Sequence, residues 1–297
     1  MAMPPAAGRA RRSALNWLGV TATGPAVPLI WAAPAVLFML AFALIPLIDN
    51  MIRSVGPAGS LSLAPYQRLF FDSFYLGVLA TTLGFSFLVT LVCLLVGYPV
   101  AYFMVRHANR LYGVCIFFLV APLLTSIIMR TFGWRVLLAR RGFLNATLMD
   151  LGLTTQPLDL LNGPVVALLA TVQVLTPFMV LAIASSLQGV DRRIEESARV
   201  LGAGRVATFF RITLPLTLDG IGTGFILVFM LANGSFVTLL LLAGGSVQTL
   251  PLLIYQQINT TRDFALASAM SNVLLVSAVI CLVIQARLLR RRGVKAQ

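Results

Sequence analysis

Long apolar runs without charge alternate with short polar interruptions along this chain. The runs are Leu29 to Ile48, Ser73 to Val105, Leu111 to Met129, Leu160 to Val190, Gly220 to Thr261 and Phe264 to Ala286. A helix needs about 20 apolar residues to cross a bilayer. The pattern therefore predicts six helices, near 29–51, 76–105, 112–137, 164–186, 219–242 and 264–286. The run from Gly220 is too long for one span, and Gly244-Gly245-Ser246 is a turn cluster that ends it. Gln248 to Asp263 then reads as a polar loop. The period-two alternation of a membrane barrel strand is absent, so the predicted class is an all-α integral membrane bundle.

The interruption between the fourth and fifth runs has a pattern of its own. Asp191 is placed as an N-cap, with Glu195 and Glu196 near the positive end of the helix dipole. Ile194, Ala198 and Leu201 follow at i, i+4 and i+7 and predict one apolar stripe. Gly202 is suited to end that helix in a left-handed conformation. A second short helix is predicted from about Arg205 to Thr213, carrying Val206, Phe209 and Phe210, before Pro215 redirects the chain towards the membrane. Periodicity leaves two readings of this helical hairpin open: an amphipathic loop lying on lipid headgroups, or a docking surface for another protein.

Charge decides the orientation. Arg9, Arg11, Arg12, Arg106, Arg110, Arg192, Arg193, Arg199, Arg205, Arg211, Arg287, Arg290, Arg291, Arg292 and Lys295 fall on one side of the predicted spans. Arg53, Arg68, Arg130, Arg135, Arg140, Arg141 and Arg262 fall on the other. The positive-inside bias then predicts cytoplasmic N- and C-termini and a cytoplasmic hairpin. It also accounts for the net charge of +13 through anionic lipid rather than nucleic acid. The 59% hydrophobic content, 10% charged content and mean hydropathy of +0.94 exclude an ordinary soluble domain. Arg9 to Arg12 before an apolar stretch resemble a signal peptide only in outline, and that stretch reads as a retained first span.

Chemistry is sparse. His107 is the single histidine, and Cys93, Cys115 and Cys281 lie inside predicted spans without paired spacing, so neither a metal site nor a disulfide framework is expected. The chain has no glycine-rich phosphate loop ending in lysine. Its nine acids fall at span ends or in loops rather than at mid-membrane, where an ion-coupled carrier places ionisable groups. An intramembrane enzyme and a secondary carrier acting alone are both weakened by these absences, and no cofactor is expected. Pro99, Pro122 and Pro177 are candidates for kinks around a cavity. Thr125, Ser126, Gln173, Asn233, Ser235 and Thr238 are the polar candidates for a translocation pathway, although Ser and Thr also bond helix to helix. Gly220-x-x-x-Gly224 permits close helix contact, either within the chain or with a second subunit.

Glu196-Ser197-Ala198, three residues, Gly202, nine residues and Ile212-Thr213-Leu214-Pro215 resemble the Glu-Ala-Ala, x3, Gly, x9, Ile-x-Leu-Pro loop of permease subunits in bacterial ABC importers fed by a binding protein. Ser197 in place of the first alanine is the one departure. The resemblance implies a type I importer permease fold with a core at 76–286 and a coupling loop at 188–216. Residues 1–28 would form a basic cytoplasmic segment, 29–75 the first helix and its external loop, and 287–297 a basic tail. It implies that the first hairpin helix docks on an ATP-hydrolysing subunit, with Glu196 in polar contact and Gly202 allowing the turn. The ATPase-coupling residues are then Glu196, Ser197, Ala198, Gly202, Ile212, Leu214 and Pro215. The implied partners are two ATP-binding subunits, a second homologous permease and an extracytoplasmic solute-binding protein, in the bacterial inner membrane.

Four further patches resemble the spermidine/putrescine permease group, first-permease type: Pro65 to Phe70, Arg130 to Arg135, Gly142 to Asn145, and Arg262 to Phe264. A polyamine is the solute this favours. The spans offer no central carboxylate for a polycation, and Arg130 and Arg135 lie near the outer end of the third, so another small or anionic solute stays open.

Overall fold

In the computed structural model, residues 29–56, 62–108 and 111–293 are described, and among them every regular element is helical. The elements are α1 (Leu29–Ser54), α2 (Ala64–Phe71), α3 (Ser73–Arg106), α4 (Tyr112–Val120), α5 (Ile127–Leu138), α6 (Phe143–Asp150) and α7 (Pro164–Gln188). They continue as α8 (Arg192–Val200), α9 (Arg205–Thr208), α10 (Leu214–Leu216), α11 (Leu218–Asn233), α12 (Val237–Leu242), α13 (Leu250–Gln256) and α14 (Phe264–Gly293). The basic residues Arg9, Arg11 and Arg12 lie outside the described residues.

The chain divides into two compact units, up to Ile52 and from Arg53 onward. In the first, α1 is a long apolar helix with Pro34 and Pro46 inside it and its described side chains largely exposed. In the second, α3, α7 and α11 pack into one core. Val89, Cys93, Tyr98 and Met104 of α3 meet Leu175, Met179, Val180 and Ile183 of α7 and Val228 of α11. Close approach here depends on glycine. A Cβ on Gly220 would lie 2.3 Å from the Ser186 Cβ, and one on Gly224 would lie 2.8 Å from the Met179 sulfur. The Gly220-x-x-x-Gly224 motif is thus an internal contact of α11 with α7. Cys93 is buried in the same core, as a small apolar residue would be.

Among the described residues four helices are long and apolar enough to cross a membrane, and bent pairs raise the number to as many as six. Three expectations need correction. The third apolar run is not one helix: α4 passes into a tight turn at Ala121–Leu124, the backbone is extended at Thr125 and Ser126, and the two arms meet at 94°. Pro122 lacks a backbone donor, and Thr125 instead turns both its amide and its hydroxyl onto the Pro122 carbonyl, at 3.3 and 2.7 Å. The fifth predicted span, 219–242, is likewise split, between α11 and α12 at Gly234 to Phe236.

The third correction concerns the polar loop expected at Gln248 to Asp263. That stretch forms α13 and a widened π turn at Gln257–Thr261, with Leu250, Leu252 and Leu253 buried. Leu250 and Leu253 join Leu69, Val78, Leu266 and Met270 in a second core, and the Leu250 amide donates to the Thr82 hydroxyl of α3 at 2.8 Å. Five apolar residues among Leu250 to Tyr255 cover surface that a loop of polar residues would leave wet. The turn at Gly244-Gly245 is present, with φ of +54° and +86°.

Candidate coupling site

The polar interruption after α7 folds as a helical hairpin. Asp191 caps α8, its carboxylate accepting from the Arg193 amide at 2.9 Å. At the other end Gly202 has φ +90°, its amide donates to the Arg199 carbonyl at 3.0 Å, and the Ala203 amide donates to the Ala198 carbonyl at 3.0 Å. Those are the two bonds of a Schellman cap, and the positive φ is what requires glycine. The second arm begins at α9 and widens into a π turn over Phe209–Thr213, where the Leu214 amide reaches back to the Phe209 carbonyl. Pro215 follows directly. A proline ring crowds the carbonyl four residues earlier and supplies no donor, which a widened turn accommodates.

The hairpin's buried face is not the predicted apolar stripe. Ile194 and Leu201 are exposed, and Val200 and Leu201 reach 87%. Glu195, at 3%, is the residue of α8 that is buried. Its Oε1 accepts from Arg106 Nε at 3.1 Å, from Arg106 Nη2 at 2.8 Å and from the Thr213 hydroxyl at 3.1 Å. Arg199 stands 3.8 Å from Oε2. Arg106 also donates to the Val190 carbonyl at 3.1 Å, and the Arg192 guanidinium closes onto the Arg106 carbonyl. One carboxylate therefore joins the C-terminal end of α3, the first hairpin helix and the π turn. Isolated burial of either charge would be prohibitive, and the pairing is what makes it tolerable. Phe209 wedges edge-on against Tyr98 and Tyr102 at 5.4 and 5.8 Å, and the Tyr98 hydroxyl bonds that of Thr217 at 3.0 Å.

The remaining residues expected to couple divide by exposure. Glu196, Ser197 and Gly202 are open to solvent, and Ala198 is half-buried. In the second arm Ile212 and Leu214 are half-buried and Pro215 is exposed, and Phe209 and Leu214 pack on the main core. Val206 and Phe210 point outward with Val200 and Leu201, so the hairpin presents an apolar outer surface around an ionic interior. A cleft of about 380 Å³ opens beside it, lined by Tyr102, His107, Arg199, Arg205 and Phe209 among others.

The pathway candidates gather at the two helix breaks. Thr125 and Ser126 are exposed at the bend between α4 and α5, and Gln173 accepts from the Trp134 indole at 2.6 Å. Gln173, Trp134 and Pro122 line a largely apolar groove of about 410 Å³ together with Pro177 of α7. At the second break Asn233 is 5% exposed and donates to Ser277 of α14 at 3.1 Å, while its Oδ1 has no partner. Ser235 is half-buried and Thr238 buried nearby in sequence. Asn145 is also committed: its side chain bonds the Ala139 carbonyl and both backbone groups of Leu158, clasping the loop after α6.

Sequence reasoning missed Glu195, Arg106 and Thr213 as one unit. Arg106 counted only as a topogenic charge. The available signal was an acid one turn before Arg199 in a helix otherwise crowded with arginine.

The model of the inner membrane component of binding-protein-dependent transport systems matches residues 93–294, a span that contains the hairpin and its buried carboxylate. The chain belongs to that family. It is a transport subunit rather than an enzyme. Among its relatives, the spermidine/putrescine transport system permease protein PotB of Escherichia coli K12 is 33% identical over 206 residues, 69% of this chain and 74% of that protein. PotB of Haemophilus influenzae is 33% identical over 211 residues, covering 71% and 73%. The crystal structure of a bacterial ABC transporter that imports the acidic polysaccharide alginate superposes with a TM-score of 0.73 at 19% identity, over 89% of this chain and 95% of that one. The fold is that of a type I ABC importer permease.

Proposed function

We infer that this permease forms one half of the membrane channel of an ATP-driven importer and that its cytoplasmic hairpin is where the ATPase drives it. The observation that carries the reading is the inverted burial of the hairpin: an ionic interior tied to α3 and an outer face of Val200, Leu201, Val206 and Phe210. An apolar surface of that kind, rimmed by Glu196, Arg199 and Arg205, suits a protein partner with a cleft. The complete assembly pairs this chain with a second homologous permease, two ATP-binding subunits and an extracytoplasmic binding protein. Each bent helix pair counts as one span, so the chain crosses the bacterial inner membrane six times with both termini cytoplasmic, in keeping with the arginine distribution.

The favoured solute is a polyamine such as spermidine or putrescine, on the strength of the PotB relatives. An anionic solute is the second reading, and Arg130 favours it: Nε and Nη1 of its guanidinium are buried without a hydrogen-bond partner close to the α4–α5 bend. Thr125, Ser126, Gln173, Asn233, Ser235 and Thr238 are proposed to line the route from one break to the other. The test is reconstitution of the full assembly in proteoliposomes with labelled spermidine, putrescine and a dicarboxylate. ATP-dependent uptake of the polyamines alone supports the first reading. Uptake of the dicarboxylate alone replaces it with the second, and uptake by this chain without any ATPase overturns both.

A further inference from the structure

The motif that marks the hairpin points to Glu196, yet the residue before it is the one built into the protein. Glu196 is exposed, whereas Glu195 and Arg106 have side chains only 4% and 6% exposed. Three donor atoms converge on one Glu195 oxygen, from α3 and from the π turn, across sequence separations of 89 and 18 residues. Arg106 adds a bond to the Val190 carbonyl at the end of α7's connection to the hairpin. A buried ion pair gains little stability over a well-packed apolar pair of similar volume, because desolvation offsets the attraction. What it does supply is geometry: two nitrogens of one guanidinium and the Thr213 hydroxyl meet at a single carboxylate oxygen and fix where it lies.

We propose that Glu195 is a positioning residue that locks the coupling helix α8 to the cytoplasmic end of α3 through Arg106 and to the π turn through Thr213, so that the three move as one body when the ATPase subunits close. The proposal rests on the coupling reading above. Because α3 is 34 residues, about 51 Å at 1.5 Å per residue, it extends past a hydrocarbon layer of about 30 Å. A displacement imposed on α8 is thereby delivered to a helix that crosses the whole membrane and carries a large share of the core.

Two experiments on the assembled transporter test this. In the first, Arg106→Met with Glu195→Leu replaces the pair by apolar side chains of comparable size. The expected result is a transporter that retains its ATPase subunits on purification but imports about tenfold less solute per ATP hydrolysed, the scale of an ordinary coupling free energy. Wild-type import per ATP in the double variant overturns the proposal, because the junction is then structural only. In the second, spin labels are placed at the exposed positions Phe103 and Ser197 in an otherwise cysteine-free permease, with the pair intact. The distance between them is expected to stay the same in the nucleotide-free and ATP-trapped states, and a change of several ångströms overturns the rigid link even if the double variant fails to assemble. Failure of the underlying coupling reading is separate: Gly202→Asp would then leave ATPase retention and import normal, which failure of the Glu195 lock does not predict.

Discussion

The junction around Glu195 and the helix breaks treat polar atoms in opposite ways. At the junction the buried polar groups meet one another: the Arg106 guanidinium serves Glu195 and the Val190 carbonyl, Thr213 serves Glu195, and Tyr98 meets Thr217. At the breaks, polar atoms are left open. Asn233 Oδ1 is buried and unpaired beside Gly234, and two Arg130 nitrogens are unpaired beside the α4–α5 bend. The first region is complete within this chain and suits transmission of force. The second has unfilled hydrogen-bonding capacity in an apolar setting, which a solute, a water or a second subunit can fill.

The largest expected effect breaks the comparison at its closed end. Arg106→Ala strands the buried Glu195 carboxylate and is expected to cost about 3–5 kcal/mol, read as a fall in the thermal unfolding midpoint of the detergent-solubilised permease together with lost import. A midpoint within a degree of the parent would mean that Glu195 is solvated and that the junction is no more closed than the breaks. Next, Gly202→Asp puts a side chain where φ is +90°, an expected strain of about 1–2 kcal/mol, localised to the hairpin. The permease should still insert and the ATPase subunit should be lost on co-purification. Glu196→Lys should weaken the same co-purification while leaving the unfolding midpoint alone, since Glu196 is exposed.

Smaller effects sharpen the contrast. Asp191→Ala removes a side-chain cap from α8 and is expected to cost about 1 kcal/mol, visible as faster amide exchange over Arg192 to Glu195 with the Arg106 contact retained. Asn233→Leu removes an acceptor that has no donor and one bond to Ser277, so its net effect on stability should stay below about 1 kcal/mol. Import should nevertheless fall, because the open acceptor is what the pathway would use. An Asn233→Leu permease that unfolds as early as Arg106→Ala would show that Asn233 is a structural lock and that the two regions do not differ.

Much of this was legible along the chain because it is local. Apolar runs mark helices whatever packs on them, and α1, α3, α7 and α14 lie where the runs place them. Asp191 and Gly202 cap α8 as their residue types suggest, since both ends are satisfied within a few residues. The breaks were harder. Pro122 was noticed as a kink, but the 94° bend needed the extended Thr125-Ser126 backbone, and apolar composition does not register a bend when both arms are apolar. Leu250 to Gln256 was lost to its polar neighbours, because a seven-residue helix gives periodicity too little length to show.

The sequence by itself determined that this is a helical membrane protein, where its charges bias its orientation, and which hairpin bears the importer signature. Those properties follow from composition and from spacings of a few residues. Only the tertiary structure decided which side chains of the hairpin are buried, that Gly220 and Gly224 pack on α7, and that Glu195 rather than an apolar stripe lies inside. The reason is physical: a carboxylate can be buried only where its counter-charge already stands, and the one that neutralises Glu195 arrives from α3, 89 residues earlier in the chain.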